Sequence, residues 1–552
     1  MDLRRKVFIA AAFSSLLFTL THAAHAAPGD LDPTFGTGGI ARVDFGGHDN
    51  GKALAVQPDG KILVGGKASF PGSDAVGVAR LNPDGSMDTS FGHGGSIFVN
   101  LFPYVFDFED LVLQPDGKIV VGGSVDRGLG FSYDFWLLRL NPDGSHDLGF
   151  GIGGVVTTTL FFSSFDKLTT LAIQDDGRIL AAGGVRRTPD EENHFVVVRY
   201  LPDGQLDRDF GTGGMAITDP APGDSLIRDI ALQPDGKIVA TGFSFLEYAL
   251  VRYDSQGRLD PEFGGDGIVV STASPYRAAE PQAVVIQPDG KIVAGGVAFP
   301  TVPAGDFALW RFLPDGTLDP EFGVGGRALN DFSGGHDVIL ALALQADGGI
   351  VAVGQTLVMQ SLLSDFALAR YTSDGQLDLG FGTGGTVITD LGGYDFATDV
   401  VNLPDGKLVV TGTQGAPEIP GDARVLRYLG PEPDVNEPPV IAGAAASPGV
   451  LWPANHKMIN VRVSYTVTDD RDPAAAVQCS LSVASNEPVN GTGDGDTAPD
   501  WQVVDSHRVL LRAERAGSGN GRSYTITIAC TDTAGASSTR EVKVQVPKNR
   551  GK

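Results

Sequence analysis

The chain has 552 residues, a formal net charge of -26 and only two cysteines, Cys479 and Cys530. Such acidity argues against nucleic acid and anionic membrane as partners; its simplest reading is solubility.

Residues 1–26 read as a secretory signal. Arg4, Arg5 and Lys6 form a basic start, 7–20 is mostly apolar, and Ala24-His25-Ala26 is a small-residue cleavage site. The apolar run is too short for a membrane span, and no later run is long enough, so no transmembrane segment is expected. The mature protein is expected to be secreted or at the cell surface, with the periplasm as another possible compartment. In that setting an isolated cysteine pair predicts a disulfide, Cys479–Cys530, rather than a metal or redox site.

Residues 27–429 repeat one sentence seven times. Its core phrase, Pro-Asp-Gly-Lys-Ile with substitutions, places glycines at 60, 117, 177, 236, 290, 348 and 406, and Phe-Gly-x-Gly-Gly recurs from Phe35 to Phe381. A fixed period of this length means units that must stack to bury their apolar faces. Each unit holds four short branched-rich runs, in the first case 40–45, 53–56, 62–64 and 76–81, bounded by Gly, Pro and Asp. These predict strands covered on both faces. Pro58-Asp59-Gly60 reads as a tight turn between the second and third. Glycines at 66, 123, 183, 242, 296, 354 and 412 mark a bulge or close backbone approach. The fold class predicted is all-β: a seven-bladed β-propeller of four-stranded blades followed by an Ig-like β-sandwich. Six junctions carry a Leu-Asp-x-x-Phe-like linker, and the seventh lacks one. Leu31-Asp32-Pro33-Thr34-Phe35 at the front supplies the missing piece, so the N-terminal segment is expected to dock on the last blade and close the ring.

These phrases resemble the delta-60 repeat proteins of bacteria over residues 30–430. The resemblance implies a propeller and no particular activity.

Residues 430–439, GPEPDVNEPP, have linker composition. Runs at 459–468, 477–484, 501–512, 523–531 and 539–546 predict a β-sandwich over 440–548, with the cysteines in two of its strands and a bridge across the sandwich. Leu451-Trp452-Pro453, Asn455-His456-Lys457 and Thr531-Asp532-Thr533-Ala534-Gly535 resemble the Ig-like domains, akin to the HYR type, of bacterial surface proteins.

Traces of catalysis are thin. Beyond the leader, histidines stand singly, and no metal, phosphate-loop or nucleophile-elbow motif occurs. No cofactor is implied and no catalytic residue is assigned. Arg80, Arg139, Arg199, Arg252, Arg311, Arg370 and Arg427 recur in every unit, with an acid five residues earlier in most: Asp134, Glu247, Asp306, Asp365 and Asp422. Their repetition reads as a structural ladder of ion pairs rather than as seven ligand sites. Asp494, Asp496 and Asp500 are candidate calcium ligands in a Gly-rich loop, weighed against a plain polar loop.

Connections on one face are constant, whereas those on the other (102–108, 128–133, 161–165, 188–194, 301–306) differ in every unit. Variation confined to one face marks a binding face. Its aromatics, Phe102, Tyr104, Phe106, Phe131, Tyr133, Phe161, Phe162 and Tyr276, are candidate ligand-binding residues that stack on sugars or anchor a protein, weighed against rings tucked into the core. The expectation is a non-enzymatic binding or adhesion protein for an extracellular glycan or protein. The alternatives are a propeller enzyme acting on extracellular polysaccharide, as lyase or hydrolase, and a purely structural envelope or matrix component.

Overall fold

A computed structural model of the chain describes residues 26–70, 73–99, 105–126, 133–161, 164–188, 190–245, 247–271, 279–299, 305–332, 334–358, 363–416, 419–431, 436–489, 498–516 and 520–548. The chain divides into two compact units, 1–433 and 434–552, and the described residues form strands and no helix.

In the first unit the strands group into four-stranded antiparallel modules. Each begins with an inner strand: Ala53–Val56, Val105–Leu113, Phe165–Ile173, Ser225–Leu232, Ala279–Ile286, Asp337–Leu344 and Tyr394–Asn402. We number the modules one to seven in that order. Two longer strands and a four-residue outer strand follow each inner strand. The grouping differs from the sequence repeat by one strand. Ile40–Val43, read above as the first strand of repeat one, pairs with Ile419–Tyr428 and is the outer strand of module seven. Likewise Ser96–Val99 joins module one and Val155–Thr158 module two. The glycine-rich link after each third strand turns the chain back along its own sheet, which periodicity alone does not reveal.

Local chemistry explains the modules. In the Pro-Asp-Gly turn Gly60 takes a φ of 82° and donates to Gln57 O at 2.8 Å, while Asp59 Oδ1 accepts from Lys61 N. Every inner strand from module two to module seven carries a register shift at one residue, as between Phe108 and Asp110. That bulge drives a carbonyl at the neighbouring strand. A Cβ on Gly123 would stand 1.8 Å from Asp107 O, and one on Gly354 would stand 1.9 Å from Val338 O. The repeated strand glycines therefore serve a bulge on the strand beside them.

Adjacent modules pack face to face, so strands such as Ile292–Ala298 are buried along their whole length. Phe108, Leu111 and Trp136 of module two pack against Leu63, Val76 and Val78 of module one. Val409, Ala423 and Val425 of module seven pack against Phe45, Leu54 and Val64. Stacking therefore continues from the last module to the first.

The recurring arginines bind a different acid from the one expected. Arg80, Arg199, Arg252 and Arg311 donate through Nε to Asp88, Asp207, Asp260 and Asp319 at 2.7–2.8 Å, the Asp of the Leu-Asp-x-x-Phe link eight residues later. Each guanidinium lies over the Phe of that link, as Arg139 does over Phe150 at 4.5 Å, and also donates to a carbonyl of the following module, such as Ser255 O for Arg199. Arg427 completes the series with Asp32 Oδ2 at 2.9 Å and the Phe35 ring at 4.7 Å.

The second unit has two antiparallel sheets. Val440–Ser447, Met458–Thr468, Arg508–Arg512 and Trp501–Asp505 form one; Gln478–Ser485, Gly521–Thr531 and Ser537–Pro547 form the other. Their alternating inward residues, Val461, Val463, Val509 and Leu511 against Tyr524, Ile526, Ile528 and Val544, share one core. Residues 501–512, read above as one strand, fold as a hairpin about Ser506-His507, and Val440–Ser447 is an additional strand. Cys479 and Cys530 are disulfide-bonded, but as direct cross-strand partners within one sheet rather than across two. Their strands are register neighbours, so the bridge closes a 51-residue separation without linking the layers.

Candidate functional site

The inner strands of all seven modules line one cavity of about 420 Å³. Its rim is Lys52 of module one with the column of bulge residues Glu109, Thr169, Arg228, Gln282, Leu340 and Thr398, one per module. The column breaks the symmetry of the repeat. Modules one to four contribute three cations with Lys167 and one acid; modules six and seven contribute Leu340, Leu342 and Phe396 beside Thr398. Glu109 is buried and is shared by Lys52 and by Lys167, whose Nζ lies 3.5 Å from Oε1. Arg228 differs. It makes no salt bridge among the described residues, its Nε has no hydrogen-bond partner, and its guanidinium lies 5.2 Å from the Phe243 ring centre. Burial lowers its pKa, partly offset by Glu280 and Glu109.

Behind the rim stand Asp110, Asp229 and Asp399. Each uses one oxygen for the next amide of its own strand and the other for the following module: Leu171 N–H to Asp110 Oδ2 at 2.7 Å, Val284 N–H to Asp229 Oδ2 at 2.8 Å, Leu54 N–H to Asp399 Oδ2 at 2.8 Å. They are staples between modules, and the third joins the seventh to the first. Burial pushes the carboxyls up to about 8, 6 and 7, against the pull of those amides. In an unfolded chain they titrate near 3.9, so from about pH 4 to about pH 8 the fold holds protons that the unfolded chain has lost. Stability should therefore fall as pH rises through that window. Calorimetry at pH 5.5 and 8.5 should give the higher transition temperature at 5.5; a higher one at 8.5 would refute the assignment.

The expected loop aromatics are described only in part. Phe102, Tyr104, Phe131, Phe162 and Tyr276 fall outside the described residues, as do Asp494 and Asp496, and Phe106 lies in the strand Val105–Leu113. Tyr133 and Phe161 meet at the junction of modules two and three: Tyr133 N–H donates to Ser164 O at 3.1 Å and Ser164 Oγ donates to Phe161 O at 2.7 Å. Both are half-buried. Tyr133 packs edge-on to Phe165 at 4.8 Å, and the Arg187 guanidinium covers the Phe161 ring at 5.3 Å. Asp500 is buried with its Oδ2 accepting from Arg522 at 2.8 Å.

Six stretches, 57–91, 114–150, 174–210, 233–263, 287–322 and 345–381, match the model of the family described as a domain of unknown function (DUF5122) beta-propeller. The chain carries propeller-like repeats of four-stranded sheets. No curated protein matches it. Among solved structures it is similar to the polysaccharide lyase Uly1, at 13% identity and a TM-score of 0.40 over 69% of this chain and 90% of that one. A protein of unknown function from Dyadobacter fermentans DSM 18053 aligns at 13% identity and 0.37, over 71% and 98%. Prolyl oligopeptidase B from Galerina marginata aligns at 10% and 0.41, over 87% and 55%.

Proposed function

We propose that this repeat protein is an exported, non-enzymatic binding protein: a closed seven-bladed propeller that takes an anionic glycan into the rim of its central cavity, followed by an Ig-like sandwich as spacer or attachment point. The observation that carries this reading is Arg228, a half-buried guanidinium that makes no salt bridge among the described residues, on a rim whose other side carries Leu340 and Phe396. A carboxylated sugar offers it a bidentate partner, and Leu340 and Phe396 offer an apolar face to the ring. Binding is favoured over turnover because the buried rim carboxylates are engaged. Asp110, Asp229 and Asp399 hold backbone amides, and Glu109 holds two lysines.

The test is titration calorimetry with uronate oligosaccharides and with their neutral counterparts. Uronates should bind and neutral sugars should not, and Arg228→Ala should weaken binding about 10- to 100-fold, the worth of a charged hydrogen bond. If instead Phe102, Tyr104 and Phe106 changed to Ala abolish binding while Arg228→Ala does not, the site belongs to the loops and this reading fails.

A further inference from the structure

Between modules five and six, Asp306, Asp331 and Asp337 each bring a carboxylate oxygen within 4.8 Å of the other two, and between modules six and seven Asp365, Asp390 and Asp395 do the same. The two triads occupy equivalent places: near the start of a third strand, just after its outer strand, and at the start of the next inner strand. Asp337 and Asp395 are wholly buried. One oxygen of each accepts a loop amide, Phe332 N–H at 2.8 Å and Leu391 N–H at 2.7 Å, while Oδ1 of each has no hydrogen-bond partner. A buried anionic oxygen left unsatisfied beside two more carboxylates is costly unless it takes up a proton or a cation sits among them.

The third junction of this kind shows the cation. Between modules seven and one the triad is Asp422, Asp44 and Asp49, and two arginines occupy it: Arg42 lies 3.0 Å from Asp44 and 2.9 Å from Asp422, and Arg424 lies 3.2 Å from Asp422. Arg42 and Arg424 are register partners. The same register positions hold Leu329 with Ala308 at one acidic junction and Ile388 with Ala367 at the other. The acids are kept where the paired arginines are lost, with Arg424 acting on Asp395 only at longer range.

We propose that each of these two triads binds a calcium ion, which does at its junction what Arg42 and Arg424 do at the third. The ligands are all hard anionic oxygens, which suits Ca²⁺ over softer metals, and their spacing fits around one ion with Ca–O distances of about 2.3–2.6 Å. The ion would tie three consecutive strand segments from two modules, so it would also stiffen the stack.

The experiment is calorimetric titration of the chelator-treated full chain with CaCl₂, alongside thermal melts. Two ions per chain are expected, with dissociation constants of about 100–1000 µM, as for extracellular sites, and a rise of about 5 °C in the melt at saturating Ca²⁺. Asp390→Asn and Asp331→Asn, both at exposed positions, should each remove one ion. Ile388→Arg restores the arginine of the third junction at a surface position, 47% exposed, and should remove the Asp395 ion while keeping the melt high without calcium. No calcium heat, or a stoichiometry that these variants leave at two, would overturn the proposal.

Discussion

Deleting residues 27–45 should abolish the cooperative melting of residues 27–433 while leaving that of 434–552 in place. The segment supplies the outer strand Ile40–Val43 of module seven, its ladder to Ile419–Tyr428, and Asp32 for Arg427. It also buries Phe35, Val43 and Phe45 completely. Each such side chain is worth about 1.5–3 kcal/mol, a large share of the roughly 5–15 kcal/mol that holds a domain. The charge pair adds to this. Burial opposes the Asp32 charge, but the Thr34 hydroxyl and amide, with Arg427 and Lys407, outweigh it and hold the carboxyl down to about 2. Removing the segment strands a buried guanidinium and exposes an edge strand. Calorimetry of the truncated chain decides it: an unchanged first transition would show that the unit does not depend on this strand pairing.

The second large effect belongs to the C-terminal unit. Arg522 is 0% exposed and faces three carboxylates: Asp500 at 2.8 Å, Glu514 at 3.3 Å and Glu487 at 3.4 Å, with Pro488 O at 3.0 Å. Arg522→Met should cost about 3–5 kcal/mol, because it leaves buried acids facing one another without their cation. Replacing Asp500 and Glu514 by Leu in the same variant should recover much of the loss, since an apolar cluster is tolerated where an unpaired charge is not. Denaturant melts of the single and triple variants measure both. A loss below about 1 kcal/mol in Arg522→Met would contradict the buried network.

The backbone grammar was open to reading and the side-chain geometry was not. The Pro-Asp-Gly turns and strand glycines could be found because backbone conformation fixes them locally. The partner of each repeated arginine could not be found by nearness in sequence. Asp134 is five residues from Arg139, but five residues of strand span about 17 Å and end on the opposite face. Asp147, eight residues later, returns beside it because the link folds back. The rim was missed because its seven residues come from seven distant segments. It did leave a signal: the position five before each Gln-Pro-Asp-Gly, or its equivalent, reads Lys, Glu, Thr, Arg, Gln, Leu, Thr inside an otherwise uniform strand. The triads were half visible, since Asp306 and Asp365 repeat in sequence while Asp331 and Asp390 join them only through the fold.

The pairing of Arg42 with Arg424 also sets the order of events as the chain is made. The strand synthesised among the first of its unit finds its partner last, some 380 residues later. Until then Ile40–Val43 is an unsatisfied edge able to pair with the Ile419–Tyr428 segment of another molecule. Pairing of these strands within one chain and strand exchange between two thus compete for the same contacts. Dilute refolding should favour the monomer and concentrated refolding should favour linked dimers, so the history of a sample, as much as its sequence, decides its assembly state.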